Sequence, residues 1–135
     1  MYYLDYENGK RAVYGGWYFG GGGGGMPDGG IEVLENALSS GKVLIKTIDE
    51  FDAGDSIVTA SLVGSPSQGK DAVTAEHCRR VYHLFKENYP HPLNGIISNE
   101  TGAHSITNGW IAAAVNGLTV LDAACNGRAH PTGVM

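Results

Sequence analysis

From residue 41 onward, short runs rich in Val, Ile and Leu alternate with segments of helical period. That alternation predicts βαβ units and hence an α/β domain, with a mostly parallel or mixed sheet and flanking helices. Strands are expected at "KVLIKTI", "SIVTASLV", "NGIIS" and "LTVLDA". In "DAVTAEHCRRVYHLFKENYP" the residues Cys78, Val81, Tyr82, Phe85 and Tyr89 recur at helical spacing as one apolar stripe. Arg79, Arg80, His83, Lys86 and Glu87 take the wet side, and Pro90 and Pro92 end the helix. "ITNGWIAAAVNG" is apolar almost all round and reads as a buried helix stopped by Asn116 and Gly117. "GGIEVLENALSSGK" gives a third, ended by Gly41.

The first 19 residues carry enough aromatics to pack and read as an N-terminal arm or helix, although Gly15 and Gly16 interrupt the pattern. Residues 20–30 form a glycine-rich loop, and 31–135 the α/β core of a single domain. A chain of 135 residues suffices for one hydrophobic core without disulfide staples.

Composition narrows the function classes. The net charge is −5 and the nine Lys and Arg residues are scattered, so a nucleic-acid partner is not expected. The longest apolar run is far below the roughly 20 residues of a membrane-spanning helix, which argues against a membrane partner. There is no signal-peptide pattern at the start, and Cys78 and Cys125 read as two free thiols of a cytoplasmic protein. Glycine is the outlier, at 21 residues about twice its usual share of roughly 7%.

The run Gly20 to Gly25 has two readings. It is either a flexible tether or a set of residues whose missing Cβ atoms let the backbone approach a ligand and form an anion nest near a helix N-terminus. It lacks the Lys-Ser/Thr ending of a phosphate-binding loop and follows no clear strand, so no nucleotide cofactor is expected.

The loop "SNETGAHSITNGW" follows the strand "NGIIS". Ligands of open parallel sheets sit beyond the carboxyl ends of the strands, where Glu100, Thr101, Gly102, His104 and Asn108 would lie. Glu100 and His104 could form a proton-transfer pair or bind a metal. In the plainer reading Thr107 or Ser105 caps the next helix and Glu100 is solvated.

After "LTVL" come Asp122, Cys125, Asn126, Arg128 and His130, again at a strand's carboxyl end. Beside Arg128, Cys125 would favour the nucleophilic thiolate. Arg128 offers a planar fork for a carboxylate, and His130 could move a proton near neutral pH. Cys78, on a helical stripe, reads as an inert buried thiol. No Cys-x-x-Cys spacing occurs, and His77, Cys78 and His83 cannot share one helix face, so a zinc site has no motif behind it.

Taken in order, the glycine run, "VLIKTIDEFDAGDSIVTASLVGSPS", "SNETGAHS" and "LTVLDAACNGRAHPTGVM" resemble the N-terminal domain of the S-methyl thiohydantoin desulfurase family, found among hydantoinase and oxoprolinase relatives. The family features fall on Gly21 to Gly25, on Gly64, Ser65 and Pro66, on Glu100, Thr101 and Gly102, and on Asp122, Gly127, Arg128, Ala129 and Pro131. Many relatives have Asp-Gly-Met where this chain has Ala124, Cys125 and Asn126, and an aromatic at His130, which points to a branch with its own chemistry.

The resemblance implies hydrolytic removal of sulfur from a thiohydantoin-like ring, or related chemistry on a hydantoin. Cys125 would be the nucleophile, with His130 and Glu100 as proton-transfer groups and Asp122 orienting its neighbours. Arg128 would clamp a substrate carboxylate and Gly22, Gly23, Gly24 and Gly25 would supply backbone donors, with Thr101, Gly102, His104 and Asn126 lining the substrate. Alternatively water attacks, activated by a divalent metal held by Glu100, His104 and Asp122. The competing function is a non-catalytic domain or subunit that holds a small anion. Family proteins continue into a second, mainly β domain whereas this sequence stops at Met135, so it reads as either a fragment or one part of a split protein, and in both cases a homo-oligomer or a partner chain carrying that domain is expected.

Overall fold

In a computed structural model that describes residues 1–62 and 72–129, the chain forms a five-stranded mixed sheet in the order β1-β2-β5-β4-β3. The strands are β1 (Tyr2–Tyr3), β2 (Leu44–Lys46), β3 (Ile57–Ala60), β4 (Gly95–Ser98) and β5 (Thr119–Ala124). The helices are α1 (Tyr6–Gly20), α2 (Pro27–Ser40), α3 (Ala75–Asn88) and α4 (Trp110–Asn116). Strands β2 to β5 pair in parallel, and β1 alone is antiparallel, against β2.

Right-handed crossovers decide which face the helices cover. The steps β3 to β4 and β4 to β5 run in one direction across the sheet, so α3 and α4 lie on the same side. The step from β2 back to β3 runs the opposite way and must cross the other face. It does so through the short 3-10 turn Ile48–Glu50 and Phe51, whose ring lies against Gly95 and beneath the Lys46 ammonium at 5.4 Å. The helix-side core joins Ile45, Val120 and Ile96 of the sheet to Leu34, Ala37, Trp110, Ile111 and Ala113 of α2 and α4.

Each element has a local cause. Asp5 caps α1 by accepting from the Asn8 N–H at 2.7 Å. Pro27 starts α2 at the position where its missing N–H costs nothing. Thr74 caps α3, and Gly117, at φ 70°, ends α4 in the left-handed region that glycine adopts freely.

Several boundaries differ from the sequence reading. Tyr2 and Tyr3 form an edge strand, so the N-terminal helix starts only at Tyr6. Gly29 and Gly30 belong to α2, which shortens the glycine loop to residues 21–26. The helix expected over "ITNGWIAAAVNG" splits into a 3-10 turn, Ser105–Thr107, and α4, because Gly109 at φ 95° interrupts it. Neither Ser105 nor Thr107 caps α4, since Gly109 occupies that position. On α3 no residue is fully buried and Val81 is 65% exposed, so the stripe flanks an open groove rather than sealing a core.

Candidate functional site

The chain leaving β4 is pinned on every side. Ser98, buried at the end of the strand, shares its hydroxyl hydrogen between Ser105 O at 2.6 Å and Glu100 O at 2.9 Å. On one flank the segment after β5 continues the parallel ladder past a register shift: Cys125 N donates to Ser98 O, Asn126 N to Asn99 O and Ala129 N to Thr101 O, while Thr101 N donates to Gly127 O. On the other flank, Gly24 O accepts from both His104 N at 2.8 Å and Ser105 N at 2.9 Å.

These contacts account for the last two glycines of the run. A Cβ on Gly24 would lie 2.4 Å from Ser105 Oγ and 2.7 Å from Gly102 Cα, and one on Gly25 would lie 2.6 Å from His104 Cβ. Both residues also have positive φ, 74° and 81°. The close approach that missing side chains permit at Gly24 and Gly25 is to the protein's own loop, so this end of the run is an interlock rather than a tether.

Between these segments lies a polar cavity of about 180 Å³ at the carboxyl ends of β3 and β4, lined by Gly24, Gly25, Leu62, Asn99, Glu100, His104, Ser105 and Asn108. Asn108 Nδ2 donates to Asn99 Oδ1 at 2.8 Å, which orients both amides. Leu62, His104 and Asn108 also border a larger apolar groove of about 1040 Å³ between β3, α2, α3 and α4. Burial pushes the His104 imidazole below its ordinary pKa, and the Glu32 carboxylate opposes this. His104 is therefore neutral at pH 7, with a nitrogen able to accept a proton.

The other candidates are spread along the rim and beyond it. Cys125 is exposed, with its Sγ 3.3 Å from Thr59 Oγ1, and does not line the polar cavity. Arg128 is exposed and reaches Gly21 of the glycine loop, with Asn126 and Gly22 also at the surface. Thr101 and Gly102 hold the loop in place through backbone contacts. Asp122 lies in the carboxyl half of β5, exposed and outside the cavity lining; burial raises the Tyr2 phenol pKa, and the carboxylates of Asp122 and Asp5 raise it further. Among the described residues no three His, Cys, Asp or Glu side chains come together as a metal would require, so Glu100, His104 and Asp122 do not form the ligand set the sequence suggested. His130, Gly64, Ser65, Pro66 and Pro131 lie outside the described residues.

Sequence reasoning missed Asn99 and Ser105 as members of the cavity. Asn99 carried a signal, as the first polar residue past a strand's carboxyl end. Ser105 carried none beyond its hydroxyl.

The fold is similar to that of a crystal structure of a protein from Chromobacterium violaceum, with a TM-score of 0.71 and 23% identity over 92% of this chain. The match covers 35% of that protein, so the chain spans about a third of its length. A comparison with curated proteins found no match. The sequence of residues 10–135 matches the family described as S-Me-THD-like, N-terminal domain. With nearly the whole chain accounted for and a mixed, mostly parallel sheet of the expected α/β class, the protein belongs to the family of S-Me-THD-like N-terminal domains.

Proposed function

We propose that this domain binds a thiohydantoin- or hydantoin-like five-membered ring and supplies proton transfer for its hydrolysis or desulfurisation. The observation that carries the reading is the polar cavity at the carboxyl ends of β3 and β4, where Glu100 and the neutral His104 meet the paired amides of Asn99 and Asn108. A flat ring of alternating amide N–H and carbonyl or thiocarbonyl groups matches a lining of amide donors and acceptors.

In the proposed reaction a water molecule attacks the ring carbon bearing sulfur, and its proton passes to His104. Collapse of the tetrahedral adduct breaks the C–S bond and the sulfur leaves with a proton, so that water and the thio compound become a carbonyl compound and hydrogen sulfide, or methanethiol for an S-methyl ring. Glu100 relays the proton between His104 and the leaving sulfur. Water fits this site better than the Cys125 thiol, which stands outside the cavity beside Thr59.

The test is release of sulfide or methanethiol from a panel of thiohydantoins and their S-methyl derivatives. His104→Gln and Glu100→Gln should each lower kcat by about 10²–10⁴, while Cys125→Ser should leave it within about twofold, as expected for a group outside the reacting atoms. Loss of release in Cys125→Ser would restore the thiolate route, and sensitivity to a chelator would restore a metal.

A second reading is a domain that binds the ring or a small anion without turning it over, in keeping with the exposed backbone of Gly21 and Gly22 beside Arg128. It predicts ring binding without release.

A further inference from the structure

Ser105 breaks a rule that its surroundings obey. Its N–H donates to Gly24 O, and its carbonyl accepts from Asn108 N and from the Ser98 hydroxyl. Its own hydroxyl, in a residue 93% buried by its 7% exposure, is the one buried side-chain polar atom among the described residues without a hydrogen-bond partner. Two residues on, Thr107 does what a hydroxyl in such a turn normally does and donates back to the His104 carbonyl at 2.7 Å. The corresponding carbonyl for Ser105, that of Gly102, accepts from Ile106 N at 3.0 Å but receives no bond from the Ser105 hydroxyl.

The hydroxyl is also given room on two sides by glycines. A Cβ on Gly24 would fall 2.4 Å from Ser105 Oγ, and one on Gly102 would fall 2.8 Å from it. Ser105 lines the polar cavity beside Glu100, His104 and Asn108. Buried hydroxyls are almost always bonded, and an unbonded one in a polar cavity calls for a partner the folded chain does not provide.

We propose that Ser105 is a substrate-contacting residue: its hydroxyl donates a hydrogen bond to a ring heteroatom, the carbonyl oxygen or thiocarbonyl sulfur, of the molecule in the polar cavity. The proposal rests on the ring-binding reading above. A hydroxyl at this position stabilises charge developing on that heteroatom as water attacks the adjacent carbon.

Ligand contact and structural support predict opposite effects of one substitution. If the hydroxyl awaits a ligand, Ser105→Ala removes an unsatisfied buried group, and the melting temperature of the ligand-free protein rises by about 2–6 °C. Binding of hydantoin and 2-thiohydantoin, measured by calorimetry, should at the same time weaken about three- to tenfold. A lower melting temperature in the ligand-free variant would mean the hydroxyl is held by the fold, and an unchanged one with unchanged affinity would mean it holds a buried water; either overturns the proposal. Unweakened ring binding by Ser105→Ala would overturn it while leaving the ring-binding reading intact. Failure of the unsubstituted protein to bind either ring would remove that reading, and the assignment of Ser105 with it.

Discussion

His104 shows how burial changes the titration of an ordinary residue. Its folded pKa is depressed, so above the unfolded value near 6.5 the neutral ring is accommodated at no cost. As pH falls through the folded value the unfolded chain has already taken up its proton, and stability is lost. The melting temperature should therefore decline on acidification below about pH 6.5, and His104→Gln should flatten that part of the profile in thermal melts at stepped pH. The thiols separate in the same way. Cys78 is half-buried with its pKa raised by desolvation, whereas Cys125 is exposed. Iodoacetamide should alkylate Cys125 first and Cys78 much more slowly, as peptide mass spectrometry over time would show. Glu100 and His104 were legible as site candidates because they follow a strand in an α/β pattern. The state of the Ser105 hydroxyl was not, because it depends on Gly24, 81 residues away in sequence.

At the scale of elements, glycines that look alike in the sequence have different reasons to be there. Gly15 lies within α1, and a Cβ there would meet nothing within 4 Å. Gly30, in α2, would place its Cβ 2.2 Å from Ala103 O and 2.9 Å from Val13. Gly15→Ala should stabilise the protein by about 0.5–1 kcal/mol through helix propensity and a less flexible unfolded chain. Gly30→Ala should cost about 1–3 kcal/mol or more by forcing α2 away from α1 and the site loop. Urea unfolding of the two variants side by side checks both signs. If both stabilise, the close packing of α2 on the loop is wrong. The strands and three of the helices could be read from periodicity, since a half-buried element must repeat its apolar positions. The Tyr2–Tyr3 strand could not, because two residues carry no period and pairing with Leu44 and Ile45 alone defines them.

For the whole molecule, the main apolar cluster among the described residues is the helix-side core. Leu34 is fully buried where α1, α2 and the sheet converge, its methyls against Gly9. Leu34→Ala should cost about 2–5 kcal/mol and appear in denaturant melts as one cooperative shift. The aromatic end of α1 is less well covered: Trp17 is 45%, Tyr18 82% and Phe19 65% exposed. We expect this surface to drive association with a second chain, visible as concentration-dependent sedimentation that Phe19→Ser reduces. No helix among the described residues is long and apolar enough to cross a membrane.

The sequence by itself determined the fold class, most of the elements and which polar loops follow the strands, because these follow from local periodicity and from the ends of parallel strands. Its ordered motifs also pointed to the family. Only the tertiary structure decided which loops meet. It brought Glu100 and His104 to one cavity, left Asp122 outside it, set Cys125 beside Thr59, and packed Gly24 and Gly25 against the loop that follows β4. The physical reason is that periodicity reports which side of an element is buried, whereas the close approach of two backbones and the fate of a buried hydroxyl depend on residues far apart in the chain.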